Sequence, residues 1–277
     1  MRLGIFTLYH KDPVIPLDNG PFYALHMQRA PSVACPRLPV ERPEHILEQA
    51  SYCEIRGHHY VWKNLLHRFD YVGFQHYRRV MIWPTGNFTN PDPVLRQLHA
   101  ETVRYSSFQA LTIDRESFLS CLRALNALTS GEVERLRAVA GAHDAILPYR
   151  TGRNVPPDEH YAGAHVREHF DVMMEEMLKE PFFARLRPLT PFQQYWDYFG
   201  NLFLLRAELF DDYMSMAMPV LERVAARIVI PDDPYQSRAM GFLAERLFTF
   251  YMYGLELTCD TLRVRHTSFA LSEDTNV

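Results

Sequence analysis

Two arginines and a histidine follow directly on a short apolar run: Phe69-Asp70-Tyr71-Val72-Gly73-Phe74-Gln75 leads into His76-Tyr77-Arg78-Arg79. Read as a buried strand, the run delivers the tetrapeptide to the mouth of a sheet. Paired guanidiniums there present about ten N–H donors in planar forks, a match for a diphosphate whose charge grows as it leaves. Strand-end arginines also cap carboxylates or solvate an edge, and pattern alone leaves both readings open.

Other chemistry-bearing residues are scattered. Tyr52-Cys53-Glu54-Ile55-Arg56 and Trp62-Lys63-Asn64 precede that strand. On a helix Glu54 and Arg56 diverge, Arg56 and Lys63 share a side two turns apart, and Trp62 belongs in the core. Lys63 and Asn64 either reach a ligand or complement the helix dipole. Glu245 and Arg246 sit inside the apolar stretch Gly241-Phe242-Leu243-Ala244-Glu245-Arg246-Leu247. A carboxylate there must be paired, ligand-facing or neutral, so an ion pair to Arg238 or Arg246 and a catalytic role both stand. Asp197, within Tyr195-Trp196-Asp197-Tyr198, is the other acid in an aromatic setting, the kind that stacks on a sugar ring. Among the thirteen histidines, His165 and His169 have i,i+4 spacing, but Val166-Arg167-Glu168 between them lacks the HExxH pattern. Core or surface histidines are the expectation.

The elements that must position these groups follow from pattern. Leu3, Ile5 and Thr7 alternate with Gly4, Phe6 and Leu8, a buried first strand over 1–9 that ends in Tyr9-His10-Lys11, where α/β sheets present ligand-binding groups. The prolines of 13–43 predict an irregular functional loop. A helix is expected over 44–67 with Pro43 in its first turn, then the strand over 69–75 and a loop over 84–93. Helices over 93–103, 115–127 and 130–140 precede a strand near 144–148. Beyond it come a helix over 157–179, a Pro/aromatic loop over 181–198, a strand at 201–205, and helices over 207–226 and 234–253. Residues after 268 are polar and expected to fray. Alternating strand and helix means α/β.

With 277 residues, 47% of them hydrophobic and 22% charged, the chain can bury one large core. A net charge of −4 disfavours nucleic-acid binding. Only Lys11, Lys63 and Lys179 are lysines among 29 basic residues, which reads as composition, so each arginine must be argued by position. Cys35, Cys53, Cys121 and Cys259 form no CxxC pair and are expected to be ordinary buried thiols. With no apolar run near about 18 residues and no cleavable signal pattern, the expectation is a soluble, cytoplasmic protein.

The order of Tyr9-His10-Lys11, Tyr52-Cys53-Glu54, Trp62-Lys63-Asn64, Gly73-Phe74-Gln75-His76-Tyr77-Arg78-Arg79, Asn201-Leu202-Phe203, Tyr235-Gln236-Ser237-Arg238 and Gly241-Phe242-Leu243-Ala244-Glu245-Arg246-Leu247 resembles the bacterial domain of unknown function 4422 over about residues 1–255. It departs from the family's pattern at Pro43-Glu44-His45-Ile46, where an Asn-Ile-Ser segment is expected. The resemblance implies a glycosyltransferase of GT-A type from capsular or exopolysaccharide synthesis. It implies a single domain over 1–268 with a mixed central sheet flanked by helices, a nucleotide-binding half over 1–150, an acceptor-side half over 151–268, and a flexible tail over 269–277.

The expected donor is a nucleotide sugar, UDP-linked, and the expected acceptor a glycan or lipid-linked glycan, through which the protein would associate with the inner face of the membrane. On this resemblance Thr7, Tyr9, His10, Lys11, Lys63, Asn64, His76, Tyr77, Arg78 and Arg79 fall to the donor. Glu245, ahead of Asp197, is the catalytic acid or base, and Trp196, Asn201, Arg238 and Arg246 line or support the acceptor side. Most GT-A enzymes hold Mn²⁺ or Mg²⁺ with Asp-x-Asp at this strand end. Here arginines stand there, so no metal is expected to be required. The alternative is a binding module for nucleotides or glycans that has no turnover.

Overall fold

The computed structural model describes residues 1–27, 45–83, 110–189, 191–274 and 277. Its strands are β1 (Leu3–Tyr9), β2 (Phe22–His26), β3 (Tyr71–His76), β4 (Arg79–Met81), β5 (Ala110–Ile113), β6 (Ala145–Pro148), β7 (Thr151–Gly152), β8 (Trp196–Asp197), β9 (Phe203–Arg206), β10 (Val264–Thr267) and β11 (Phe269–Ser272). The central run is β2-β1-β3-β9-β6-β10, in which β2, β1 and β3 are parallel and β9 runs antiparallel to both β3 and β6. A smaller ribbon, β4-β11-β5, branches from the end of β3.

Alternation sends each strand's side chains to two cores. Phe6 and Leu8 of β1 and Phe203 and Leu205 of β9 enter one. Leu3 and Ile5, with Leu204, enter the other. The first core is covered by α2 (Ile55–Asn64), α6 (Arg167–Met177), α8 (Ala207–Ala225) and α9 (Ala239–Thr258), and the second by α3 (Arg115–Asn126) and α4 (Ser130–Gly141). Short helices α1 (His45–Glu48), α5 (Pro157–Ala162) and α7 (Pro181–Leu186) complete the three layers. Local chemistry starts the helices where expected: Asp114 caps α3 through the Ser117 N–H, and Thr129 with Glu132 closes a capping box on α4. The expected α/β architecture with a mixed sheet is present, and no described helix is long and apolar enough to cross a membrane.

Several elements differ from expectation. The helix over 44–67 is broken into α1, a 3₁₀ turn at Ala50–Tyr52 and α2, with Cys53 at φ 47° between the turn and Glu54. No glycine or proline announces that break. The helix over 157–179 is two helices, because the chain leaves α5 at Gly163 and re-enters a helix only at Arg167. His165 thus precedes α6 while His169 lies in it and donates through Nε2 to Val229 O at 3.1 Å, so the pair shares no metal face. β2 falls inside the expected irregular loop and, among the described residues, pairs with β1 alone. The Pro/aromatic loop holds α7 and β8. The tail expected to fray is β11, with Phe269, Ala270 and Ser272 buried between β4 and β5. Residues 28–43, the loop over 84–93, the helix over 93–103 and Cys35 lie outside the described residues.

Candidate functional site

The parallel strands β1 and β3 end side by side, Leu8 opposite His76, which sets His10 and His76 at one edge of the sheet. There His76-Tyr77-Arg78-Arg79 is a two-residue hairpin: His76 pairs with Arg79 across the turn. Internal bonds hold it in place. Gln75 Nε2 donates to Thr7 Oγ1 at 2.9 Å, and its Oε1 accepts the Met81 N–H at 3.2 Å. β11 clamps the far side, Leu271 opposite Arg79, with the Ser272 N–H donating to Arg78 O at 2.9 Å. The segment expected to be loose is what fixes the arginine hairpin.

Arg79 also has a seat. Its guanidinium lies 4.7 Å over the Phe199 ring, and a Cβ on Gly200 would meet Arg79 Cδ at 3.3 Å. Gly200 (φ +83°) and Asn201 (φ 53°) make the left-handed bend that brings the backbone so close, a conformation glycine takes without strain. Arg78 Nε and Arg79 Nε are both buried with no hydrogen-bond partner among the described residues. Leaving a buried N–H unmet costs about 1–3 kcal/mol.

These groups open on a cleft of about 550 Å³ lined by His10, His76, Tyr77, Arg78, Arg79 and Arg238, with Cys53 and Arg56 on its far wall. Arg238, the residue that caps α9, reaches the cleft from that side. Gly241 and Glu245 are one turn apart on α9 and share one face, while Arg238 ends the 3₁₀ turn that leads into the helix. A Cβ on Gly241 would lie 2.9 Å from Cys53 Cβ, so only glycine lets the helix seat against the Cys53–Glu54 turn. Arg238 Nε donates to Cys53 Sγ at 3.4 Å. Burial pushes the Cys53 thiol up to about 12, which makes it a packing group and not a nucleophile.

Glu54, beneath the cleft floor, is the residue that pattern reading passed over. Its Oε1 lies 3.1 Å from His76 Nε2, 3.7 Å from His10 Nε2 and 3.9 Å from an Arg238 nitrogen. Burial alone would raise its pKa, but His10 and His76 override that and hold the carboxyl well below the usual range. Burial pushes His76 down to about 4, so the pair is carboxylate with neutral imidazole. One signal was available: a lone carboxylate between Cys53 and Ile55 needs a partner, the argument that singled out Glu245.

The atoms of His10, Glu54 and His76 lie within 4.8 Å of one another, the spacing of a two-histidine, one-carboxylate metal site. The hydrogen bonds do not suit that use. His76 Nδ1 accepts the Arg78 N–H at 3.2 Å, so in the neutral ring Nε2 carries the hydrogen and offers no lone pair to an ion. Arg238, Arg78 and Arg79 add positive charge around the same spot.

The remaining candidates divide. Glu245 is 12% exposed, pairs with Arg246 at 3.0 Å and feels the charges of Arg79 and Glu54; burial raises its pKa. It lies one turn beyond Gly241 on α9 and is not among the residues that line the cleft. Asp197 instead grips Arg153 in a two-pronged bond, 3.1 and 2.8 Å, across β7 and β8. Trp196 stacks under Arg150, and Arg246 reaches His160 Nδ1 at 3.4 Å. Asn201 donates to Gly241 O at 3.5 Å, tying the Arg79 seat to α9. Thr7 is buried under the hairpin, Tyr9 spends its hydroxyl on the Leu17 N–H at 3.0 Å, and Lys11 is exposed. Lys63 and Asn64 are not brought to the cleft. They end α2, about 15 Å of helix from Glu54; Lys63 covers Trp62 and lines a separate cleft of about 720 Å³, and Asn64 bonds Tyr60 O.

The match of a family model completes the picture: residues 5–255 fit the domain of unknown function DUF4422. The chain belongs to the DUF4422 family. The fold of this DUF4422 chain is shared with the bifunctional glycosyltransferase WbbM, solved in its apo form, at TM-score 0.75 and 21% identity. That alignment covers 99% of this chain and 46% of WbbM, so the chain spans about half the length of that protein. No curated protein matches it.

Proposed function

We propose that this DUF4422 chain is a GT-A-type glycosyltransferase that moves a sugar from a nucleoside-diphosphate donor, UDP-linked, to a glycan or lipid-linked glycan of a surface polysaccharide. The observation that carries the reading is the convergence of Arg78, Arg79 and Arg238 on one cleft at the strand ends, with the Nε groups of the first two buried and unmet. Guanidinium forks aimed at a concave site fit a diphosphate that gains charge as the bond to the sugar breaks. The fold shared with WbbM supports a transferase, and the hydrogen bond from Arg78 N–H to His76 Nδ1 supports doing without a metal. Fixed cations then do what a divalent ion does elsewhere, and they need no reorganisation when charge develops.

On the acceptor side Glu245 is the base. Burial raises its pKa towards the working range, where a carboxylate both is ionised and takes a proton readily. Asp197, bound at both oxygens by Arg153, is assigned to structure.

Calorimetric titration with UDP in the presence of EDTA tests the donor site. The wild type binds, and Arg78→Ala/Arg79→Ala loses about tenfold to a hundredfold in affinity, the scale of two charge-assisted contacts. Binding that appears only after Mn²⁺ is added would overturn the metal-free reading.

A further inference from the structure

His10, Glu54 and His76 come from three segments, and the chain bends at Cys53 (φ 47°) to turn Glu54 inward. Its side chain is 7% exposed, and Oε1 has no well-aligned hydrogen bond among the described residues although three donors-in-waiting surround it. A buried anion held this way costs stability unless its partners supply charge. His76 cannot turn outward, because Nδ1 takes the Arg78 N–H and Nε2 faces Glu54. His10 differs. Its side chain is 27% exposed and lines the cleft, and Nε2 faces Glu54, which leaves Nδ1 for a ligand.

We propose that Glu54 and His10 form a carboxylate–imidazole dyad that receives the donor's diphosphate: Glu54 holds His10 through Nε2, and His10, protonated from solvent as the anion arrives, gives Nδ1–H to a phosphate oxygen. The inference rests on the nucleotide-sugar reading of the cleft. Glu54 is the positioning residue and His10 the group that touches the ligand. An imidazole between a carboxylate and an arriving polyanion gains proton affinity from both sides, the same carboxylate–cation–phosphate stacking that a metal would complete. The groups facing His10 are Glu54, His76 at 5.8 Å and Tyr77 at 6.1 Å between ring centres, and Glu48, Arg56, Arg78, Arg79 and Arg238 line the same cleft. Those coupled to Glu54 besides the two histidines are Cys53, Arg56, His58, Arg238 and Glu245. His76 has Nδ1 filled by the Arg78 N–H and Nε2 turned to Glu54, so His10 is the imidazole free to meet the ligand.

The test is titration with UDP in EDTA at about pH 8, where the nucleotide's terminal phosphate is fully ionised, in two buffers of different ionisation enthalpy. The heat difference counts protons taken up by the protein. Wild type takes up a substantial fraction of one proton per nucleotide bound. His10→Asn still binds UDP, about tenfold more weakly, with no uptake, and Glu54→Gln shows uptake cut by at least half. Uptake that persists in His10→Asn, or binding by the wild type with no uptake, overturns the dyad while leaving the donor site standing. Should Glu54→Gln fail to fold, His10→Asn, altered at a partly exposed side chain, decides alone. No binding of UDP, GDP, ADP or dTDP by the wild type overturns the donor reading and the dyad with it.

Discussion

Glu245 and Asp197 are two acids in aromatic, apolar surroundings, and their neighbours separate them. Asp197 meets a guanidinium with both oxygens, whereas Glu245 keeps one bond to Arg246 and a pKa raised by burial. Glu245→Gln is expected to lower kcat by about 10²-fold, the usual scale for a general base, with UDP affinity and thermal midpoint near wild type. The wild-type kcat rises with pH as Glu245 ionises, above the ordinary carboxylate range, and the variant lacks that limb. Asp197→Asn should do the reverse, weakening the protein by about 2 kcal/mol in urea unfolding as Arg153 loses its partner, with kcat of the folded fraction retained. A kcat loss in Asp197→Asn exceeding that in Glu245→Gln would exchange the two roles.

At the scale of elements, β11 carries the most unexpected weight. It pairs with β4 on one side and β5 on the other, buries Phe269 and Ala270, and accepts Arg79 into its ladder opposite Leu271. Ending the chain at 268 removes one buried phenylalanine and two ladders of backbone bonds, a loss of about 3 kcal/mol or more. The truncated protein is expected to unfold at lower urea and, where still folded, to bind UDP about tenfold more weakly, because the hairpin that aims Arg78 and Arg79 loses its clamp. A truncation with wild-type affinity and stability would show that β3 alone holds the hairpin. The polarity of Ser272-Glu273-Asp274-Thr275-Asn276 hid this strand, whose apolar part is only Phe269, Ala270 and Leu271.

For the molecule as a whole, buried and half-buried histidines set the response to acid. Burial holds His58 at about 3 and His76, His165 and His266 at about 4, so all four stay neutral in the folded state. In the unfolded chain they titrate near the ordinary histidine value, about 6.5. With folded values depressed, their contribution is complete above that value and is lost as pH falls from it towards about 4, because protons then favour the unfolded chain. Glu245 and Glu256, raised by burial, act in the opposite sense over the lower part of the same window, but they are two against four. The thermal midpoint is expected to be lower at pH 5 than at pH 7.5 by about 5 °C or more, measured by calorimetry. A midpoint unchanged across that interval would mean that the histidines are hydrated in the folded state.

Much of this was readable from the residues. Alternation placed β1 and short apolar runs placed β3 and β9, because a strand between two cores needs apolar side chains on both faces, and helix start and stop signals placed α3 and α4. The ordered motifs from Tyr9-His10-Lys11 to the Gly241 helix pointed to the family, and His76-Tyr77-Arg78-Arg79 stood out by charge alone. What spacing could not supply was convergence. Lys63 and Asn64 share a segment with Glu54 yet face another cleft, and Thr7 and Tyr9 turn inward to support rather than bind. Glu54 joins His10 and His76 only through a bend at Cys53 that no glycine or proline marks, made possible by the missing side chain of Gly241 nearly two hundred residues away. Local pattern specifies which face of an element is apolar, since that is decided within a turn or two. Which polar groups meet is decided by packing between distant segments, and only the tertiary structure brings Arg238, Glu54 and the arginine hairpin around one cleft.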